Sequence, residues 1–215
     1  MESRGLNPSK RELIERLKTE ISDVRVIESM ERVPREAFVP EASFDRAYED
    51  IPLPIGEGQT VSQPFIVALM VQALELRRTD KVMELGTGSG YQAALLAEIA
   101  ERVISVERVP SLANSARERL TSMGYANIEV VVAAKALGWP RDAPYDAIIV
   151  AAGAPRLPHD LLDQLVTGGR MVIPVGSRQN QELMKVTRTD DSYSVRSMDP
   201  CRFVPLVGDG AWPEE

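Results

Sequence analysis

The chain has 215 residues but only one cysteine, Cys201, and one histidine, His159. A single cysteine forbids an intrachain disulfide, and with one histidine there is no Cys/His zinc cluster and no histidine relay. Much of hydrolase chemistry goes with them, and no metal is expected. Long hydrophobic runs are missing too: no stretch approaches the roughly 18 apolar residues of a membrane span, and Met1 to Gly5 lead into no apolar export segment. A cytoplasmic protein without a membrane partner is expected. Positive charge is in short supply, with 25 Lys and Arg against 32 Asp and Glu and a net charge of −7. That balance disfavours a broad phosphate-binding face, so nucleic acid is not an expected partner. What is there is globular: 44% hydrophobic and 27% charged residues, in a chain long enough to bury roughly 70% of its unfolded surface.

One domain over 1–215 is expected, in three stretches: 1–76, 77–176 and 177–215. In the first, Leu13, Ile14, Leu17 and Ile21, then Val26, Ile27, Met30 and Val33, recur at helical spacing and predict two amphipathic helices. Prolines and glycines break up 34–64, an irregular segment long enough to be functional, before a helix from Pro64 to Leu76. The middle stretch alternates. Strands are expected at 81–85, 103–107, 128–132, 147–151 and 170–175, and helices at 91–100, 110–123 and 161–165. This rhythm specifies an α/β fold with a Rossmann-like, doubly wound parallel sheet. Two further strands, 182–188 and 193–203, joined at Asp190-Asp191-Ser192, would add antiparallel pairing at the C-terminal end.

The strand at 81–85 runs into Gly86-Thr87-Gly88-Ser89-Gly90-Tyr91. Glycines at alternate positions let a ligand approach the backbone and leave helix N-terminal N–H groups open. The dinucleotide fingerprint requires G-x-G-x-x-G, which this is not; G-x-G-x-G is the spacing of Rossmann-like S-adenosylmethionine-dependent methyltransferases. Glu84, one residue before the strand's end, is positioned to meet a methionine ammonium, directly or through water. Glu107 lies at the end of the next strand, where a carboxylate can accept from both ribose hydroxyls.

With those residues in view, the chain resembles the protein-L-isoaspartate O-methyltransferase family nearly end to end. The likeness includes Val33 to Pro40, Ala47 to Asp50, Ala143 to Val150, Ile173 to Gly176 and Phe203 to Leu206. Its most specific part is Gly58-Gln59-Thr60-Val61-Ser62-Gln63-Pro64, which methyltransferases at large do not share. The resemblance implies methyl transfer from S-adenosylmethionine, leaving S-adenosylhomocysteine, to the free carboxylate of isoaspartyl residues in damaged proteins. It implies a cofactor site at Glu84, Gly86, Thr87, Gly88, Ser89, Gly90, Glu107 and Ala134. Substrate contacts would come from Gln59, Thr60, Val61, Val204, Pro205 and Leu206. Ser62 is assigned to the reacting carboxylate, although serine before Pro64 also suits a helix cap.

One stretch departs from the pattern. Ala133-Ala134-Lys135 stands where the family carries Gly-Asp-Gly, whose Asp accepts from the adenine amino group. Two readings follow: a working carboxyl methyltransferase, or a homologue with weakened or lost turnover that acts as a binding protein. Methylation of a base or amine is disfavoured, because Ala151-Ala152-Gly153-Ala154-Pro155 offers no amine acceptor after its strand. His159 is expected to be exposed at a helix start and Cys201 to be a small buried hydrophobe. Trp139 and Trp212 are expected to pack in a core or lid.

Overall fold

The computed structural model describes residues 7–213; Met1 to Gly5, read above for an export signal, lie outside it. Helices α1 (Pro8–Leu17) and α2 (Val24–Arg32) form where the spacing predicts, each opened by a side-chain cap. Asn7 accepts from the Ser9 N–H at 3.0 Å, and Asp23 from that of Arg25 at 3.0 Å. The proline-rich stretch that follows holds two short 3-10 turns and a hairpin of β1 (Leu53–Gly56) and β2 (Gln59–Val61). Helix α3 (Pro64–Ala73) begins on Pro64, whose missing N–H costs nothing in a first turn.

The expected alternation then runs through β3 (Lys81–Leu85), α4 (Tyr91–Ala97), β4 (Arg102–Glu107), α5 (Pro110–Ser122), β5 (Ile128–Val132) and β6 (Tyr145–Val150). It ends in α6 (His159–Leu162), β7 (Leu165–Gly176), β8 (Gln181–Arg188) and β9 (Tyr193–Cys201). The sheet order is β5-β4-β3-β6-β7-β8-β9, parallel as far as β7 and antiparallel beyond it. Strand order reverses between β3 and β6, and at that reversal the strand carboxyl ends leave a crevice.

Side chains alternate across the sheet. Val82, Val103, Ala147, Ile149 and Val172 face a thick layer built mainly from α1 to α4. Met83, Leu85, Ile104, Val106, Ile148 and Val150 face a thinner layer with Leu137, Leu161 and Leu162. The helix expected over 161–165 is a correction: it stops at Leu162, and β7 starts at Leu165, five residues earlier than read. Tertiary pairing overrides the helical pattern there. The Tyr145 N–H donates to the Gln164 carbonyl at 2.8 Å and Tyr145 pairs with Leu165, while the ladder shifts before Ala147 meets Arg170. Gly168, at φ +78°, lies inside that irregularity.

Candidate active site

The carboxyl ends of β3 and β4 open onto a cavity of about 1050 Å³. Its floor is the glycine loop. Gly86, Gly88 and Gly90 all take positive φ, which an L side chain resists, and a Cβ on Gly88 would come within 3.2 Å of Ile55 Cδ1 in the hairpin. Gly90 plays a different part: it does not line the cavity, and a Cβ there would press on Leu120 of α5 at 3.2 Å. The third glycine therefore sets helix packing, while the first two face the ligand space.

Glu107 holds the loop from outside. One carboxylate oxygen accepts the Gly88 N–H at 2.8 Å and the other the Val109 N–H at 2.9 Å. Each oxygen keeps a lone pair for a further donor, and Glu107 lines the cavity. Thr87 and Ser89 line it as well.

Glu84 lies elsewhere. It is fully buried and stands on the face opposite Leu85, which does line the cavity. Glu84 and Ser105 are register partners in the parallel β3/β4 ladder, so their side chains share a face. The Ser105 hydroxyl donates to one Glu84 oxygen and lies 2.5 Å from the Thr87 hydroxyl. The other Glu84 oxygen and the Gln92 amide nitrogen are buried without a hydrogen-bond partner. Burial pushes the Glu84 pKa up to about 8. Gln92, absent from the sequence reading, connects this buried group to the cavity it lines.

The facing wall is the hairpin and the turn after it. Gln59, Thr60, Val61 and Ser62 all line the cavity, and so do Val204, Pro205 and Leu206 from the C-terminal segment. Ser62 does not cap α3. That helix is served by Asp50, which accepts the Phe65 N–H at 2.8 Å and the Gln63 side-chain amide at 2.9 Å. The Ser62 hydroxyl is left without a hydrogen-bond partner among the described residues. The C-terminal segment is tied down by Trp212, whose indole N–H donates to the Gly153 carbonyl at 3.0 Å, and by Gln181, which accepts the Phe203 N–H at 2.8 Å. Trp212 lines the cavity; Trp139 does not, and donates instead to Asp142 at 2.8 Å.

Residues 8–211 match the model of the protein-L-isoaspartate(D-aspartate) O-methyltransferase family. The chain belongs to that family. A protein-L-isoaspartate O-methyltransferase of Syntrophobacter fumaroxidans is 55% identical over 192 residues, covering 89% of this chain and 90% of that protein. One from Methanoculleus marisnigri is 52% identical over 195 residues, covering 91% and 89%. Among solved structures, a protein-L-isoaspartate O-methyltransferase superposes with a TM-score of 0.85 at 27% identity, over 94% of this chain and 67% of that one. A second, from Plasmodium falciparum and in complex with S-adenosyl-L-homocysteine, gives 0.75 at 26% identity over 92% and 97%.

Ala134 and Lys135 line the cavity and are exposed, and Ala133 is half-buried. Among described non-glycine residues only Glu57 and Glu75 take positive φ, so the two positions where the family has glycine hold Ala133 and Lys135 without left-handed strain. His159 is exposed at the start of α6, as read. Cys201 is half-buried rather than buried, because β9 is an edge strand, and partial burial still pushes its thiol up to about 11.

Proposed function

We propose that the cavity methylates isoaspartyl carboxylates with Ser62 at the reacting end and the Gly86 to Ser89 loop under the methyl donor. The enzyme class is that of the family, an S-adenosylmethionine-dependent carboxyl O-methyltransferase that begins repair of damaged proteins. The observation that carries the assignment is the Ser62 hydroxyl, unpartnered on a wall facing the glycine loop while Asp50 serves the helix it was free to cap. The residues present suit the donor. Bare backbone at Gly86 and Gly88 admits close approach, and Glu107 retains acceptor capacity on both oxygens.

When bound, S-adenosylmethionine supplies an electrophilic methyl group on a positively charged sulfur. An isoaspartyl α-carboxylate is already ionised near neutral pH, so the chain needs no general base, and His159 and Cys201 are spared that role. Ser62 donates a hydrogen bond to one carboxylate oxygen and leaves the other to attack. The hairpin and the C-terminal segment enclose the reacting atoms. Holding two reactants in line contributes up to about 7–11 kcal/mol in favourable cases. The ester later loses methanol to the adjacent backbone nitrogen, giving a succinimide that hydrolyses without the enzyme.

The assignment divides the chain into a substrate-side part, 1–76, a cofactor-binding core, 77–176, and C-terminal strands, 177–215. The working place is the cytoplasm, with neither nucleic acid nor membrane as partner; no helix among the described residues is long and apolar enough to cross a bilayer. The ordinary φ at Ala133 and Lys135 favours turnover over a purely binding homologue. Losing the Ala134 acceptor costs about 0.5–1.5 kcal/mol of cofactor affinity, which weakens binding and does not abolish it. The test is methyl incorporation into a matched pair of peptides, one isoaspartyl and one aspartyl. Labelling of the first alone is expected; equal labelling of both would overturn the specificity.

A further inference from the structure

Arg35 is the largest fully buried side chain among the described residues, and it grips the carbonyl of Ser62 itself. Its guanidinium donates to the carbonyls of Ala47 at 2.9 Å, Ser62 at 2.9 Å and Ile51 at 3.4 Å. No carboxylate pairs with it among the described residues, and its Nη1 is buried without a partner. A buried guanidinium gripping only neutral groups, the three carbonyls and the Tyr91 side chain, is costly to keep for stability alone.

Arg35 is also one end of a stack. It lies 5.0 Å from the Tyr91 ring centroid, Tyr91 meets Phe38 edge-on at 5.6 Å, and Arg119 lies 6.0 Å from the Phe38 ring. At the far end Arg119 donates to the Ser89 carbonyl at 2.8 Å. The column Arg35-Tyr91-Phe38-Arg119 thus holds a residue of one cavity wall at each end: Ser62 on the substrate side and Ser89 in the glycine loop. Its links are aromatic and cation–π contacts among three buried side chains, Arg35, Tyr91 and Phe38, and a half-buried one, Arg119.

We infer that this column sets the distance between Ser62 and the glycine loop, and that Arg35 is the positioning residue through which it acts on the substrate carboxylate. In-line transfer depends steeply on that distance, since a misplacement of about 1 Å costs on the order of a hundredfold. The inference rests on the assignment of Ser62 to the carboxylate.

The test is a double-mutant cycle of Arg35→Lys with Ser62→Ala, reading kcat and KM on an isoaspartyl peptide and, by calorimetry, the Kd of S-adenosylhomocysteine. Lysine keeps the charge but cannot span three carbonyls. Arg35→Lys is expected to lower kcat/KM at least tenfold while the S-adenosylhomocysteine Kd stays within about twofold. In the Ser62→Ala background the same change is expected to cost less than threefold. An equal loss in both backgrounds, or no loss in either, would overturn the role of Arg35 and leave Ser62 standing. A silent Ser62→Ala would overturn the Ser62 assignment and this inference with it. If Arg35→Lys does not fold, Phe38→Leu takes its place, interrupting the column while leaving both arginine grips intact. A several-fold loss of kcat that vanishes in the Ser62→Ala background supports the column; an additive loss refutes it.

Discussion

The two walls of the cavity are built in opposite ways. On the cofactor side the glycine loop hangs from the ends of β3 and β4, held by ladder hydrogen bonds such as the Gly86 N–H to the Val106 carbonyl at 2.8 Å. The polar groups beneath it, Glu84 and Ser105, are sealed from solvent. On the substrate side no long ladder exists. A two-stranded hairpin and a turn are tied by single side chains reaching along the sequence, Arg35 to Ser62 and Asp50 to Phe65. The C-terminal segment adds Gln181 to Phe203 and Trp212 to Gly153 to a short backbone bridge, in which Gly153 donates to the Val204 carbonyl at 2.8 Å and accepts from Leu206 at 2.9 Å. Ladder bonds are distributed and local, so one substitution seldom dismantles them. Single-side-chain ties concentrate the role in one residue each.

This contrast is open to attack at three places. The largest effect is expected from Glu84, because its carboxyl keeps a proton in the folded chain that the unfolded chain releases. Stability from this group is complete below about pH 4.5 and is withdrawn as pH rises to about 8. At about 1.4 kcal/mol per pKa unit, the loss reaches at most about 5 kcal/mol. Thermal melts across that range should fall with pH in the parent protein and flatten in Glu84→Gln; an unchanged slope would place the buried proton elsewhere. Next is Glu107→Ala, which strips acceptors from the Gly88 and Val109 N–H groups. The affinity for S-adenosylhomocysteine should drop about a hundredfold, about 2.7 kcal/mol, with a near-normal melt because the ladder survives. The smallest effect belongs to the other wall. Asp50→Ala removes the acceptor at the start of α3 and should cost about 0.5–2 kcal/mol, a melting shift of a few degrees. It should also raise KM for the peptide more than it changes cofactor affinity. Equal changes in both would mean that the walls are not separately held.

Legibility in the sequence follows the same division. The strands of the middle stretch and the glycine loop between them were readable, because buried parallel strands are short apolar runs and a loop beneath a ligand needs glycine. The position of Glu107 at the end of β4, on the cavity, is where the spacing predicts it. The side Glu84 takes is not legible: alternation puts it on the side of Val82, under α4, but spacing alone does not say which face of the sheet meets the cavity. Gln92, Trp212 and Asp50 carried no local signal, since each acts on groups brought near by folding. The end of α6 was misread because Leu165 fits a helical pattern and a β7 register equally well, and pairing with Tyr145 decides between them.

By itself the sequence determined the fold class and a glycine loop whose spacing is not that of the dinucleotide fingerprint, both of which rest on residue type and short-range spacing, while the carboxyl-methylation chemistry came from the family resemblance of whole segments. That the Ser62 hydroxyl does not cap α3 was decided only when Asp50, twelve residues upstream, came to occupy the start of that helix. The tie of Ser62 to the glycine loop, through Arg35, Tyr91, Phe38 and Arg119, was likewise decided only by packing. Hydrogen-bond competition and close packing are properties of what is near in space, and no periodicity along the chain records them.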